Sequence, residues 1–444
     1  MTSHTYAVVG GGVSGLAAAH VFAKRGYAVE LLESGSILGG RIGHGSLDGH
    51  AVEFGGKNIG KTYRQFRELV ALYGGHGYES FGINTSRAAG SSVVTLDSSK
   101  RLRSMLRYLK GVPRRDIARL AHYSARIFLD ARNRFLGGPF FSKLPKRGDA
   151  RLSSQFSDAF ARAVLRPITV RMNAAEPDEA YIGNFGANLG MWLDSYDQLT
   201  AGFGPVLERI ERAFPVVLNA KVESLRQEPS GHVTLSVARD GRTETRRYSG
   251  VVLAVPAPAS AALLEAAAPR AARALQSVRY FPVTVVLAKY DRDIFTSAQR
   301  AFVFDPSVPL SNAGAYGMNA LNVVRYTFSG RTARREVGVM SDEDLVRKGE
   351  ALLSRYAEVP SGSRLAYAVR RFDPGLCAYS PDHGALVGAL EGALRGRRIA
   401  LAGDYLRGTS LESCVRSAEQ AVDDVLGSQR PMAIDLSKEV YAHV

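Results

Sequence analysis

The stretch Tyr6-Ala-Val-Val-Gly-Gly-Gly-Val-Ser-Gly-Leu-Ala-Ala-Ala-His20 decides the fold of this chain. It predicts a short buried strand, a glycine turn and a helix. Gly10 permits a tight turn, Gly12 lets the backbone approach a pyrophosphate, and Gly15 lets the helix pack closely on the strand. The N-terminus of that helix attracts phosphate charge. The cofactor contacts predicted from this turn are Gly10, Gly12, Val13, Ser14 and Gly15.

A second strand is predicted directly after this helix, over Val29–Leu32, and it ends in a carboxylate. This residue, Glu33, lies 18 residues after the last glycine of the turn. A carboxylate there can accept hydrogen bonds from both ribose hydroxyls and would repel a 2′-phosphate, which argues against NADP. Ser34 follows, and a second glycine pair ends at Gly40 before the cation Arg41, which can hold the same pyrophosphate from the other side. These residues together predict FAD.

The pieces up to Arg41 resemble the start of the flavin amine oxidase superfamily, which includes monoamine and polyamine oxidases, protoporphyrinogen oxidases and phytoene-type desaturases. The resemblance implies an α/β fold, in which a Rossmann-type FAD-binding domain is interleaved with an α+β substrate domain of mixed sheet and helices. The FAD-binding domain is expected to consist of residues 1–80, 205–260 and 395–427. The substrate domain is expected at 81–204 and 261–394, with 428–444 as a C-terminal tail.

Further segments in the same order strengthen the resemblance. In the superfamily, a glycine pair like Gly55-Gly56 lies against the flavin ring, with Lys57 and Asn58 near its reactive face. Later segments supply a strand whose backbone pairs with the adenine, a return strand to the main sheet, an acid for the ribityl chain, and a helix N-terminus for the edge of the ring. The residues implied for these four roles are Val222, Pro256, Gly403 with Asp404, and Leu411.

The substrate side of the cofactor departs from amine oxidases proper. Those enzymes place a lysine near the start of a strand that corresponds to Tyr280–Lys289, where this chain has Val283 and Thr284. Ser410 stands where amine oxidases have the second tyrosine of an aromatic cage. The residues predicted to line the site are Lys57, Tyr379 and Tyr405. Because the spacing from Cys377 to Tyr379 differs by one residue from relatives with a covalent flavin, non-covalent FAD is expected.

The formal net charge of +15 is concentrated in one helical region, 100–171, which contains 18 Lys and Arg against 4 Asp. A helix from Arg115 to about Phe135 is predicted to separate basic residues from an apolar side that includes Phe128. This basic face is open to three interpretations: a solvated surface, an anionic membrane surface, or an acidic partner or substrate, such as a carrier protein or a polycarboxylate. Since no nucleic-acid motif accompanies the charge, nucleic acid is not expected as a partner. Another helix, Ser153–Leu165, is predicted to stop at Pro167, with irregular structure from 171 to 197.

The whole pattern predicts an FAD-dependent oxidoreductase that removes a hydride from a C–H bond of a small organic substrate. Because no second GxGxxG motif occurs, the expected electron acceptor is oxygen, or another small acceptor, rather than a nicotinamide cofactor. Both C–N oxidation and C–C desaturation stay open. The alternatives are a redox-neutral FAD-dependent isomerase and an escort-type binding protein of the same fold without redox activity. Two cysteines without metal-ligand spacing, and no apolar run near 18 residues, predict a cytoplasmic protein that can be peripheral at a membrane. The oligomeric state is not predicted.

Overall fold

A computed structural model describes residues 5–80, 85–89, 92–97, 101–145 and 148–427. The strands of these residues follow in chain order: β1 Thr5–Val9, β2 Ala28–Leu32, β3 His44–Leu47, β4 His50–Glu53, β5 Ile59–Gly60, β6 Tyr78–Ser80, β7 Thr85–Ala89, β8 Ser92–Leu96, β9 Tyr196–Leu199, β10 Val216–Val217, β11 Lys221–Gln227, β12 Val233–Arg239, β13 Arg242–Tyr248, β14 Val251–Leu253, β15 Tyr280–Tyr290, β16 Ala301–Val303, β17 Leu310–Ala315, β18 Val323–Phe328, β19 Arg364–Cys377 and β20 Ile399–Leu401.

The α-helices of the same residues are α1 Val13–Lys24, α2 Arg64–Leu72, α3 Arg101–Tyr108, α4 Arg114–Leu129, α5 Leu152–Gln155, α6 Asp158–Phe160, α7 Arg166–Asn173, α8 Phe185–Trp192, α9 Gly204–Ala213, α10 Ala257–Leu264, α11 Pro269–Gln276, α12 Arg331–Glu336, α13 Asp342–Leu353, α14 His383–Leu394, α15 Asp404–Arg407 and α16 Leu411–Leu426. Short 3₁₀ turns lie at Gly40–Ile42, Ala131–Arg134, Phe141–Lys143, Ile182–Asn184 and Val337–Val339, and Ala161–Leu165 is a π-helical turn.

The first of the two large sheets is parallel and has five strands, in the order β10-β2-β1-β14-β20. Its centre is built by β1, which pairs in parallel with β2 on one side and β14 on the other. Apolar side chains alternate between its two faces: Val8 packs toward α1, α2, α9 and α16, and Val9 packs toward the meander β11–β13 and helices α10, α11 and α14. Both faces are therefore buried, as a parallel sheet requires.

A second sheet of seven strands has the order β19-β15-β18-β17-β16-β7-β8 and mixes antiparallel pairs with one parallel pair, β16 with β7. Helix α13 packs against one face, with Leu345 and Val346 fully buried. The hairpin β3–β4 packs against the other face, where Val52 and Phe54 meet Val285. The predicted α/β class with a second mixed-sheet unit is confirmed, while the domain boundaries remain a prediction.

Three of the predictions for residues 100–197 are wrong. The helix expected to stop at Pro167 continues, since the π-helical turn 161–165 runs directly into α7. Proline is tolerated there because it lies in the first turn of α7, where no amide hydrogen is needed. The stretch 171–197, expected to be irregular, contains α8 and β9. The buried face of α4 is formed by Asp116, Leu120, Tyr123 and Ile127, so Phe128, predicted on the apolar side, is 61% exposed.

No helix within the described residues is both long enough and apolar enough to cross a membrane. The predicted C-terminal tail, 428–444, lies outside the described residues.

Candidate functional site

The three glycines of the first turn meet three different steric conditions. A Cβ built on Gly15 would lie 1.8 Å from the carbonyl oxygen of Gly10, so this helix can approach the strand only with glycine. Gly10 has φ +106°, and a Cβ there would lie 2.8 Å from the carbonyl oxygen of Ala254. A Cβ on Gly12, in contrast, would meet nothing within 4 Å. The space in front of Gly12 is therefore open to a ligand, as the predicted roles require.

The N-terminus of α1 is available to a phosphate group. Gly12 is the N-cap and supplies no side-chain hydrogen bond to the first amides of the helix. The second glycine pair lies directly beside it, because the Gly39 amide donates to the Gly11 carbonyl oxygen at 2.9 Å and a Cβ on Gly40 would lie 3.1 Å from Gly12 Cα. Free helix N–H groups next to two backbone segments without side chains form a cradle that suits a pyrophosphate.

Glu33 is fixed at the end of β2 and faces the glycine turn. Its carboxylate accepts hydrogen bonds from the Gly11 amide and the Gly35 amide, each at 2.6 Å, and from Ser34 Oγ at 3.2 Å. The Glu33 carbonyl oxygen accepts from the amide of Ala220, which leads into β11 and thus toward the predicted adenine-side residue Val222 at the start of that strand. The carboxylate and β11 therefore approach the same end of the turn.

Arg41 and Asp404 form a two-pronged ion pair between elements far apart in sequence. Arg41 Nη1 lies 2.7 Å from Asp404 Oδ2, and Nη2 lies 3.0 Å from Oδ1. Tyr280 donates its hydroxyl to the same carboxylate at 2.7 Å. Burial acts to lower the pKa of Arg41, but the charge of Asp404, the Tyr280 hydroxyl and the hydrogen bond to Asp404 together raise that pKa. Arg41 is predicted to bind the pyrophosphate and Asp404 the ribityl chain, and the two side chains are in direct contact.

The segment Gly55-Gly56-Lys57-Asn58 follows β4 and presents mostly backbone to its surroundings. A Cβ on Gly55 would lie 1.9 Å from the carbonyl oxygen of Arg41, whereas a Cβ on Gly56 would meet only the Leu411 side chain, at 3.8 Å. Asn58 Oδ1 is buried and has no hydrogen-bond partner in the described part of the chain. FAD brings a planar ring and a pyrophosphate, and three features of this site fit it. These are the open face above Gly56, the Asn58 acceptor without a donor, and the helix N-terminus at Gly12 without a side-chain cap.

Lys57 is buried at the end of this segment. Its Nζ donates to Gln198 Oε1 and to the carbonyl oxygen of Tyr316, and it lies 4.1 Å from the centre of the Tyr316 ring. Burial lowers the pKa of Lys57 to about 7, with a further lowering by Arg325 that Glu53 partly offsets. This amine therefore changes its charge near neutral pH, which is unusual for lysine and typical of functional sites.

Tyr379 and Tyr405, the other two predicted lining residues, lie on the Asp404 side of the site. Tyr379 is buried, and its hydroxyl donates to the Asp404 carbonyl oxygen at 3.4 Å. Tyr405 is 0% exposed and packs within the core beneath the parallel sheet. The structure thus brings Tyr379 to the ribityl-side acid and encloses Tyr405 in the core, and the lining role of both stays a prediction.

Three further predicted residues hold the ends of strands and helices around the cofactor site. Pro256 caps α10, and its carbonyl oxygen accepts from the Ser260 amide at 3.0 Å. The Gly403 amide donates to Ser417 Oγ at 3.0 Å, which fixes the end of β20 against α16. Leu411 is the first residue of α16, which is capped by Ser410.

The differences from amine oxidases proper have clear positions. Val283 and Thr284 are buried in β15, and the nearest lysine along this strand, Lys289, forms an ion pair with Asp48 at 2.6 Å. Cys377 is completely buried, and burial raises the pKa of its thiol well above the usual range, which disfavours the reactive thiolate.

Arg171 and Arg325 are the residues of this site that the sequence did not reveal. Arg325, in β18, donates to the Gly55 carbonyl oxygen at 3.1 Å. Burial lowers the pKa of Arg325 to about 10, and the charge of Arg171, in α7, lowers it further. Neither arginine belongs to a motif. For Arg171 the available signal was the high density of cations between 100 and 171, which left a solvated surface, a membrane and an acidic partner or substrate open and singled out no residue.

The comparisons with known proteins agree with this geometry. The family model for flavin containing amine oxidoreductase matches residues 13–426. Coproporphyrinogen III oxidase of Mycobacterium leprae is 24% identical over 95% of this chain and 98% of that protein, and the Mycobacterium bovis protein of the same name is 26% identical over 96% and 98%. Cyclohexylamine oxidase from Brevibacterium oxydans IH-35A has the same fold, with a TM-score of 0.72 and 16% identity over 95% of this chain and 98% of that chain. This chain therefore belongs to the flavin containing amine oxidoreductases, and its cofactor is the predicted FAD. Non-covalent binding of the flavin stays a prediction.

Proposed function

We propose that this FAD-dependent oxidoreductase is an oxidase that removes a hydride from a C–H bond of a small organic substrate and passes the electrons to oxygen. The observation that carries the proposal is the open backbone face at Gly56, with the titratable amine of Lys57 beside it. Relatives named coproporphyrinogen III oxidase and structures of amine oxidases support an oxidase, although their names point to different bonds. Both C–C and C–N oxidation are compatible with the family.

The protein's own contribution is positioning and electrostatics. FAD, when bound, supplies the hydride acceptor. The α1 N-terminus and the glycines beside it bind the pyrophosphate, and Glu33 orients the ribose. Gly56 leaves room for a substrate to approach closely. Lys57 supplies a positive charge at Nζ below about pH 7 and a neutral amine, able to accept a proton, above it.

Oxygen consumption tests this proposal. The purified protein is expected to absorb near ~450 nm, as oxidised flavins do, and to consume about one O₂ for each two-electron oxidation of substrate. A flavoprotein that converts substrate without consuming oxygen would be a redox-neutral isomerase. A colourless protein that takes up no FAD would be a binding protein of the escort type. Either result would overturn the proposed oxidase function.

We also propose that the basic helix α4 docks on an anionic membrane surface. Phe128 and Leu129 are 61% and 76% exposed at its end, and Arg115 is exposed at its start, so apolar and cationic side chains share one accessible helix. Sedimentation with vesicles of neutral and of anionic lipid tests this: binding should need anionic lipid and should weaken in Phe128→Ser. Binding to an acidic protein instead of to vesicles would favour the carrier interpretation. The cytoplasmic location remains a prediction.

A further inference from the structure

A chain of side-chain hydrogen bonds leads from Lys57 through Gln198 to Glu79. Lys57 Nζ donates to Gln198 Oε1, and Gln198 Nε2 donates to Glu79 Oε1. Lys57 and Gln198 are buried, with exposed fractions of 6% and 7%, whereas Glu79 is half-buried. The chain therefore connects the amine beside the open face at Gly56 with a carboxylate that water can reach.

The small sheet β5-β9-β6 brings these three residues together. Glu79 of β6 lies directly opposite Gln198 of β9 in the antiparallel register, so their side chains share one face of the sheet. Lys57 comes two residues before β5, which pairs with the other edge of β9. Because successive residues of a strand face opposite sides, Asp197, next to Gln198, is directed to the other face, where it pairs with Arg67 at 2.6 Å.

The segment that follows β17 encloses the same chain of hydrogen bonds. The Tyr316 carbonyl oxygen accepts a second hydrogen bond from Lys57 Nζ. A Cβ on Gly317 would lie 3.0 Å from Gln198 Nε2 and 3.7 Å from Glu79 Oε1. This close approach of the backbone covers the contact between the amide and the carboxylate.

The Gln198 amide has one orientation that satisfies both of its neighbours. A carboxylate accepts hydrogen bonds and donates none, so Glu79 takes the amide NH₂ group and leaves Oε1 to face Lys57. An oxygen acceptor suits the ammonium form and the neutral amine alike, because both forms carry N–H donors. Gln198 thus holds the amine in place without a direct ion pair, which would keep it protonated at neutral pH.

The charges around Lys57 act in opposite directions. Burial and the charge of Arg325 lower the pKa of Lys57, the charges of Glu53 and Glu79 raise it, and the resulting value is about 7. Glu53 is buried and accepts a hydrogen bond from the Tyr316 hydroxyl at 2.7 Å, so it is part of the core around the site. Glu79 is the acid that reaches Lys57 through a single side chain.

We propose that Gln198 and Glu79 are positioning residues of the reaction: Gln198 holds the Lys57 amine beside the flavin face, and Glu79, acting through Gln198, sets whether this amine is charged. The ratio of the two forms decides whether Lys57 acts as a proton acceptor or as a positive charge. The inference rests on the proposed function, because it takes Lys57 to act beside the flavin. It assigns a role to two residues outside all the cofactor motifs.

Two conservative variants test this inference. Glu79→Gln removes the charge and keeps the length of the side chain, whereas Gln198→Glu combined with Glu79→Gln exchanges acid and amide and keeps the net charge. The titration of Lys57 is followed in the FAD-loaded protein by NMR of isotopically labelled lysine side chains, in which the Lys57 signal is the one that Lys57→Met lacks.

The two variants should move the titration of Lys57 in opposite directions. The midpoint of the wild type should lie near the pKa of about 7. Glu79→Gln should lower this midpoint by about 0.5–1 pH unit, since one charge a short distance away is lost. The exchange variant should raise it by about one unit, because the acid then contacts the amine directly. The exposed control Glu68→Gln should leave the midpoint unchanged.

The flavin absorbance of the wild type should change with the same midpoint, and Lys57→Met should lack this change. Equal midpoints in the wild type and both variants would overturn the inference, as would a flavin absorbance that stays constant while Lys57 titrates. If the exchange variant does not fold, Glu79→Gln alone decides. Shifted midpoints in a protein that consumes no oxygen would support the inference and overturn the oxidase function. Unshifted midpoints in a protein that does consume oxygen would have the opposite meaning.

Discussion

Replacing Lys57 by methionine should change how the stability of the protein depends on pH. The pKa of Lys57 is about 7 in the folded protein and has the usual lysine value of 10.5 when unfolded. Between these two values the unfolded chain binds more protons at this site than the folded chain. At neutral pH, the proton that Lys57 takes up on unfolding therefore stabilises the unfolded chain and lowers the free energy of unfolding. This destabilisation of the folded protein decreases as the pH rises toward 10.5.

The size of the effect follows from the same two values. One proton contributes about 1.4 kcal/mol for each pH unit across this range. The free energy of unfolding of the wild type, measured relative to Lys57→Met, should accordingly rise by about 2 kcal/mol between pH 7 and pH 9, since the site is half protonated at the start. Below about pH 6 the difference should be constant. Groups that titrate equally in both proteins cancel.

Urea denaturation at pH 6, 7, 8 and 9 measures this difference, with Lys61→Met as the control. Lys61 is exposed and only four residues away, so its variant should follow the pH dependence of the wild type. Loss of the hydrogen bonds to Gln198 and the Tyr316 carbonyl shifts the Lys57→Met curve by a constant amount and leaves its slope unaffected. Parallel curves for wild type and Lys57→Met would show that Lys57 keeps an ordinary pKa, and the reasoning would be refuted.

Three further predictions concern the cofactor site and its support. Gly15→Ala should lower the stability by about 1–3 kcal/mol or more because its Cβ has no room. Gly12→Leu, in contrast, should fold and lose FAD. Melting curves and flavin absorbance distinguish the two variants, and equal melting temperatures would contradict the steric assignment. Glu33→Ala should weaken FAD binding at least about tenfold by flavin fluorescence titration, and unchanged binding would remove the ribose role. Arg166→Met should cost about 3–5 kcal/mol because it leaves the buried Glu176 carboxylate without its cationic partner, and a cost below about 1 kcal/mol in urea denaturation would indicate that the pair is solvated.

The cofactor half of the site was predictable because each of its features is local. Gly10, Gly12, Gly15 and Glu33 follow from the steric needs of one turn and the length of one helix, and a single sequence contains both. The helix stop at Gly427 was predictable for the same reason, since a positive φ of 77° favours glycine.

The substrate half was not predictable because its geometry is set by distant segments. Arg171 reaches the site only because the helical run continues through Pro167, which a local pattern reads as a stop. Arg325 comes from β18, and its position depends on the register of β15 with β18, where Leu287 lies opposite Arg325. The exposure of Phe128 likewise depends on which face of α4 the neighbouring helices cover.

Anaerobic mixing with substrate tests the central claim most directly. A porphyrinogen tetracarboxylate, added without oxygen, should bleach the flavin absorbance of the wild-type protein, and admission of air should restore it. Because both C–C and C–N oxidation are compatible with the family, cyclohexylamine and putrescine are mixed with the protein in the same way. A flavin that stays oxidised with the porphyrinogen and with both amines, or that stays reduced after air is admitted, would contradict the account.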